Sequence, residues 1–398
     1  MRITTATAMD RAIAVLQRNQ QSLNDAQQKL ASGKKIDRPS DDPTGAARVE
    51  RALAREARSV ASQRALEASR NSMHQAEVAM GEGTELLQQA REYLLQAGNP
   101  SLDDSQRSSL ADAIRGIRKQ LLNLANRDDG AGGMLFGGQG SSEPPFVDAP
   151  GGVVFRGTQG QSMAASGEPL PLSTDGGAIF LQAMSGNGVF VVDPAAGNSS
   201  GAWVTGGRVT DPSAVTGDDY SVVFDNSTGA TTYDVLRNGA PTGVTGAAYK
   251  SGQSIDIDGM SITVSGAPAV GDRYEIRSAA RELSMFATLD RLVTELQTPN
   301  RSNAQRTQSV NSGLRDLDAA LSSLVGERAR LGEVLNRTDA AERRLADSKL
   351  LAQTERSAAE DVDMVQAVSD FTQKQTSYDA ALKAYSMVQK LSLFEYIG

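Results

Sequence analysis

The chain has 398 residues, 48 acidic against 40 basic side chains, a formal charge of −8, and 39% hydrophobic but only 5% aromatic residues. It contains no Cys, one His and one Trp, which excludes a disulfide scaffold, a thiolate zinc site, a thiol nucleophile and any multi-histidine metal cluster. Two to three domains are expected at this length.

Charge and glycine are unevenly spread. Residues 131–280 hold 6 basic and 14 acidic side chains, so the two flanks together hold 34 of each. The same 150 residues carry 27 of the 38 glycines. Two chemically different materials are joined in one chain.

The N-terminal flank opens on a heptad seam of Met9, Ile13, Leu16, Gln20, Leu23, Gln27 and Leu30, in alternating steps of four and three. Ser32-Gly33 closes that helix, and Asp42-Pro43 announces the next with an acidic cap followed by proline at the first helical position. Within this second helix Leu66, Met73, Met80, Leu87 and Leu94 fall at strict seven-residue intervals. Three residues beyond each stands Ser69, Ala76, Gly83, Ala90 or Ala97, a large-small seam that lets another helix approach closely. A third helix is expected from Ser101, with Asp104 as its capping acid, through Leu110, Ile114, Ile117, Leu121 and Leu124 to Asp128-Asp129-Gly130.

Residues 131–280 read as short strands between turns. Val222 and Phe224 alternate with Val223, and Tyr233 and Val235 with Asp234 and Leu236. Asp258-Gly259 and Asn238-Gly239 are two-residue hairpin turns. A division into two smaller β parts is expected near residue 185. Helical period resumes at Arg281 and runs to Pro299, and a long stretch follows through Leu314, Leu317, Leu321, Leu324, Leu331, Leu335 and Leu345. The chain closes on Met364, Val368, Phe371, Gln375, Tyr378, Leu382 and Tyr385, again in steps of four and three. Long helices on both sides of a β segment imply that the flanks run antiparallel and that the β domain is an insertion.

Candidate chemistry is sparse. His74 adjoins Met73 on or beside the solvent face of a helix, no glycine pattern forms a phosphate loop, and the glycine of Asp256-Ile-Asp-Gly259 sits at the wrong position for an EF-hand. Arg48, Arg51, Arg55 and Arg58 form a basic stripe, but interspersed glutamates, the acidic total and the lack of early aromatics speak for solvated or inter-subunit ion pairs, not nucleic acid. The sequons Asn198-Ser-Ser and Asn226-Ser-Thr arise by chance in a Ser/Thr-rich segment. No 18-residue apolar run exists, so no membrane partner is expected, and Met1 to Asp10 lacks the apolar core of a cleaved leader. Zero cysteines point to export by a route without such a leader. The terminal seams are weakened by Gln20, Gln27 and Gln375, which suits helices that order against copies of themselves.

Leu30-Ala-Ser-Gly-Lys-Lys-Ile-Asp-Arg-Pro-Ser-Asp-Asp-Pro-Thr-Gly-Ala46 resembles the N-terminal signature of the bacterial flagellin family. Leu121 to Gly130 with Met134-Leu-Phe-Gly-Gly138, Leu283 to Leu296, the ending Ala384 to Phe394 and the opening Met1-Arg-Ile-Thr are similar to members at the junction of hook and filament. The resemblance covers about 250 residues in the two flanks, and the middle carries no family motif that can be named.

The resemblance implies an α+β fold: an elongated antiparallel helical stalk or coiled coil built from both termini, with an inserted, mainly antiparallel β domain. Residues 1–45 and 355–398 would form the terminal inner-tube domain, 46–130 and 281–354 the long-helix stalk, and 131–280 the insertion. It further implies a structural axial protein with no catalytic, cofactor or metal site, which self-assembles through its terminal helices and templates filament growth. Met9, Ile13, Leu16, Leu23, Leu30, Phe371, Tyr378, Leu382, Tyr385, Leu391 and Phe394 are the candidate subunit-assembly residues, and Leu66, Met73, Met80, Leu87 and Leu94 the stalk seam. Implied partners are further copies of the chain, a neighbouring hook-associated protein on the hook side, flagellin on the filament side and an export chaperone. The implied location is the extracellular flagellum, reached through type III export. A divergent filament flagellin, a cytoplasmic coiled-coil scaffold with a β head, and an Asp/Glu glycosidase in the middle segment stay open as alternatives.

Overall fold

The computed structural model describes residues 5–164, 169–198, 201–227 and 229–397. Helix α1 (Thr5–Ser32) ends where Gly33 takes φ of +69°, a left-handed turn that costs a residue without Cβ little. Helix α2 (Pro43–Ala97) starts at proline, with Asp42 Oδ1 accepting the amides of Thr44 and Gly45 at 3.1 and 2.9 Å. Helix α3 (Asp104–Ala125) begins later than the Ser101 start read from the sequence. Asp103 is its cap, accepting the Gln106 amide at 2.7 Å while Gln106 Oε1 accepts the Asp103 amide at 3.0 Å. Ser101 is held instead in a turn by Asn99 Oδ1 at 3.0 Å.

The fold is α+β, with long helices in both flanks and an antiparallel β region inserted between them. The chain divides into two compact units, residues 1–64 with 341–398, and residues 65–340. The first holds α1, the start of α2, the end of α6 (Asn303–Glu360) and α7 (Met364–Ile397). Its α1 and α7 lie side by side and antiparallel, because Gly33, just past the end of α1, accepts the amide of Val362, just before α7.

In the second unit the remainder of α2 packs with α3, α5 (Met285–Gln297) and the first part of α6 around Leu87, Leu94, Ile114, Leu121, Leu292 and Leu317, all buried. Gly313 allows α6 to come close, since a Cβ there would stand 2.4 Å from a Leu292 methyl and 2.7 Å from one of Leu94. The helix expected from Arg281 begins only at Met285, capped by Ser284 Oγ, which accepts the Ala287 amide at 3.2 Å. Arg281–Leu283 is instead a strand, because its backbone groups pair with Ala183–Met184.

The insertion has two parts. In the first, β1 (Phe146–Ala149) and β2 (Gly152–Phe155) form a hairpin; β1 carries Phe146, the short helix α4 (Gly176–Phe180) carries Phe180, and the turn before β1 carries Phe136 onto the helical core. Phe136 and Phe180 meet edge to face with centroids 5.2 Å apart, and Phe146 lies 6.0 Å from Phe286 of α5. Strand β3 (Ala183–Met184) leads out of this part.

The second part is a pair of antiparallel sheets. It takes β4 (Phe190–Pro194), β5 (Gly201–Val204), β6 (Arg208–Val209), β7 (Tyr220–Asp225), β8 (Thr232–Arg237), β9 (Ala240–Pro241), β10 (Ala247–Ala248), β11 (Ser254–Ile257), β12 (Met260–Ala267) and β13 (Arg273–Ser278), and the chain returns through β14 (Arg281–Leu283). One sheet runs β10-β8-β7-β13-β4 with β9 on β8, the other β11-β12-β5 with β6 on β12. Tyr220, Val222 and Phe224 of β7 point inward, as their alternation requires, onto Tyr274, Ile276 and Ile262. Both hairpin turns form as read: Asn238 (φ 50°) and Asp258 (φ 38°) take the positive angles of a two-residue turn, pairing Arg237 with Ala240 and Ile257 with Met260.

Candidate assembly surface

The two sets of residues singled out from the sequence occupy opposite environments. Leu66, Met73, Met80, Leu87 and Leu94 are all fully buried, and Ser69, Ala76, Ala90 and Ala97 are buried beside them. This seam is the interior of the second unit and presents nothing to a partner.

The terminal unit lacks such an interior. Among its described residues the buried hydrophobic side chains are Ala26, Ala52, Ala341, Ala352 and Ala367, every one an alanine. Met9, Leu16, Leu23 and Leu30 on α1 and Phe371, Tyr378 and Tyr385 on α7 are only half-buried, while Ile13 and Leu382 are exposed, Leu382 to 45%. Leu391 and Phe394 fall within α7, but their side chains lie outside the described residues. Scattered surface leucines are ordinary in folded proteins, whereas a unit none of whose described large apolar side chains is buried is not. At about 25 cal/mol per Å² of apolar surface, these helices leave much of their burial energy unrealised in the single chain.

Sequence reasoning passed over several members of this surface. Leu350 and Leu351, Val365 and Met387 are exposed, Val365 to 83%. Paired leucines in a helix of otherwise polar outward positions were the signal for the first two. The others lie beside the heptad and leave no periodic trace of their own.

The loop between α1 and α2 fixes the base of this surface. The Lys35 amide donates to the Glu360 carbonyl at 2.8 Å, the Val362 amide to the Gly33 carbonyl at 3.0 Å, and Lys35 Nζ to the Ala358 carbonyl at 2.8 Å. Lys34 forms an ion pair with Glu360. Inside the loop, Asp41 Oδ2 accepts the amides of Arg38 at 2.9 Å and Asp37 at 3.2 Å, and the Arg38 amide leads in holding this carboxyl below its ordinary range. The Gly45 amide and then the Thr44 hydroxyl do the same for Asp42. Gly45 lets these side chains close in: a Cβ would fall 2.4 Å from both Asp42 Oδ2 and Ile36 Cδ1 and would displace their ends. The stretch from Leu30 to Ala46 is thus a self-bonded clasp joined to the α6–α7 turn.

Of the basic stripe, Arg55 pairs with Glu355 at 2.8 Å, while Arg51 and Arg58 turn back to helix carbonyls at 3.1 and 3.2 Å. Glu56 accepts from Arg356 at 2.9 Å and Gln353 at 3.0 Å, so α2 and α6 are laced by polar pairs where a core would otherwise hold them. His74 is exposed. No helix among the described residues is long and apolar enough to cross a membrane.

Comparison with known proteins gives these features a context. Residues 3–141 match the bacterial flagellin N-terminal helical region and residues 314–397 the bacterial flagellin C-terminal helical region. Residues 194–278, for which no motif was readable, match a D2-like domain of flagellar hook-associated protein 1. The flagellar hook-associated protein 3 of Escherichia coli is 26% identical over 92% of this chain and 90% of its own. Flagellin E of Vibrio cholerae is 25% identical over 85% of this chain and 83% of its own. The flagellar junction protein FlgL from Legionella pneumophila superposes with a TM-score of 0.69 at 28% identity, over 79% of this chain and all of that one. Both helical flanks, and the clasp between the first two helices, are therefore those of a structural component of the flagellum, and the chain belongs to the bacterial flagellin family.

Proposed function

We propose that the chain is the adaptor between hook and filament, assembling with copies of itself through α1 and α7 and offering flagellin a surface on which to grow. The observation that carries the assembly step is the terminal unit, where among the described residues every buried hydrophobic side chain is an alanine and the large apolar side chains are half-buried or exposed. Copies that pack those faces together gain the burial a single chain lacks. In this reading Met9, Ile13, Leu16, Leu23 and Leu30 meet Phe371, Tyr378, Leu382 and Tyr385 of neighbours, with Leu391 and Phe394 extending the contact. A hook-associated protein lies on the hook side and flagellin on the filament side. The chain leaves the cell through the flagellar type III apparatus, escorted by an export chaperone.

Leu382→Asp tests the reading. An aspartate at a position exposed in the free chain leaves the monomer folded but places an unpaired carboxylate inside the assembly. Cells carrying it as their only copy are expected to export flagellin as monomers and to lack filaments. Normal filaments and motility would mean that α7 is not an assembly surface.

The similarity to Flagellin E favours one second reading, a divergent filament flagellin. Copy number separates the two. An adaptor is a trace component retained at the hook end of sheared flagella, and a filament protein dominates them.

A further inference from the structure

The second unit contains two hydrophobic clusters that share no residue. One lies among the helices and residues 131–184, the other inside the sheet pair of residues 190–278. Polar contacts join them. The chain crosses between them twice, through the β3–β14 ribbon, where the Ser185 amide donates to the Ala280 carbonyl at 2.9 Å and the Ala280 amide to Ser185 Oγ at 3.0 Å. A two-stranded ribbon alone holds an orientation only weakly.

The further link is Arg315 on α6. Its Nη1 donates to the Val192 carbonyl at 2.5 Å, its Nη2 to Asp193 Oδ1 at 3.0 Å and its Nε to Asp316 Oδ1 at 2.8 Å. The Arg315 side chain is 10% exposed and that of Asp316 5%. Gln308, also on α6, accepts the Val204 amide at 2.8 Å. Helix α6 thus grips β4 and β5 through side chains alone.

We infer that Arg315 is the lock that fixes the sheet pair of residues 190–278 on the helical core, and that without it this domain swivels on its two-stranded neck. Both carboxylates around Arg315 have a second guanidinium: Asp316 pairs with Arg291, and Asp193 with Arg277 at 3.1 Å. Removing Arg315 therefore leaves neither acid alone, and the usual large penalty for breaking a buried ion pair is avoided. What is lost is the bridge. Lysine cannot replace it, because one ammonium on a flexible stem does not reach three acceptors that a planar fork spans.

The absence of cysteine allows two spin labels to be placed cleanly on the full chain, at Gln88→Cys on α2 and Thr245→Cys in the loop before β10, both exposed positions. Pulsed electron resonance is expected to give one narrow distance distribution with Arg315 present. Arg315→Gln and Arg315→Lys at least double its width, while circular dichroism stays that of the folded chain. Arg277→Gln, which touches only the outer pair, keeps the distribution narrow. Unchanged width in a folded Arg315 variant overturns the lock. So does failure of both Arg315 variants to fold, since the network would then hold up the core itself.

Discussion

The amide of Lys35 and the carbonyl of Glu360 meet at 2.8 Å, tying the end of the first helix to the turn before the last. The reciprocal bond from Val362 to Gly33 closes a small ring of backbone between the two ends of the chain. Neither bond survives if the loop lifts off, so the Lys35 and Val362 amides are expected to exchange with solvent together. Glu360→Gln removes the ion pair to Lys34, whose side chain is half exposed, and the looser one to Arg356 at 3.9 Å, and leaves both backbone bonds. A pair of that kind contributes about 1 kcal/mol or less. Hydrogen exchange should therefore speed up equally at both amides, by a factor of about five at most. Faster exchange at one amide alone would show that the ring does not open as a unit.

Asp42 gives the same clasp a pH dependence. The Gly45 amide, then the Thr44 hydroxyl, favour its carboxylate in the folded chain and hold its pKa below the ordinary 3.8. A depressed acid stabilises the fold above its unfolded pKa, and that contribution is lost as the pH falls through the lower folded value. Exchange protection of the Thr44 and Gly45 amides should be level above about pH 5 and fall away below about 4. In Asp42→Asn it should be weaker and flat across that range. A titrating signal in the asparagine variant would assign the effect to another group.

Leu87 and Leu351 separate the two kinds of apolar helix position in this chain. Leu87 is fully buried in the helical core and Leu351 is 58% exposed in the terminal unit. Leu87→Ala should cost about 2–5 kcal/mol in urea unfolding, because it leaves a cavity among residues that cannot collapse into it. Leu351→Ala should change the free chain by roughly 0.5 kcal/mol or less. Equal losses would mean that the terminal unit is as well packed as the core.

The helices and their seam were legible because their determinants are local: period seven from Leu66 to Leu94, Gly33 and Pro43 as stop and start, and Asp-Gly and Asn-Gly at the hairpins. The errors were local too. Ser101 and Asp103 both suit a cap, and Gln106 decided for Asp103. Arg281 to Leu283 fitted the helical period but was drawn into pairing with Ala183–Met184. The rest depended on residues far apart in the chain. Glu360 has no mark as the partner of Lys34, and Arg315 looks like any surface arginine of a long helix until Asp193 is brought to it. That the buried hydrophobic side chains described in the terminal unit are all alanine was hidden for a related reason. A heptad says which face is apolar, and not whether one chain alone can cover it.

Tyr274 and Tyr249 share one core and should respond to the loss of a hydroxyl with opposite signs. The Tyr274 ring is fully buried and stands 5.9 Å from Phe224, edge to face. Its hydroxyl is buried with no hydrogen-bond partner among the described residues, and burial pushes its pKa up. Tyr249 lies 5.1 Å from the same phenylalanine, but its hydroxyl reaches the carbonyls of Gly266 at 2.9 Å and Val264 at 3.2 Å. A buried hydroxyl with no partner costs its desolvation and returns nothing, whereas a bonded one contributes about 1 kcal/mol. Tyr274→Phe should therefore raise the stability of the sheet pair by about 1 kcal/mol, and Tyr249→Phe should lower it by about as much. Urea unfolding followed by the single tryptophan, Trp203 in β5, reads both variants in the domain concerned. A loss of similar size in both would mean that the Tyr274 hydroxyl is bonded in solution, and the contrast between the two tyrosines would fall.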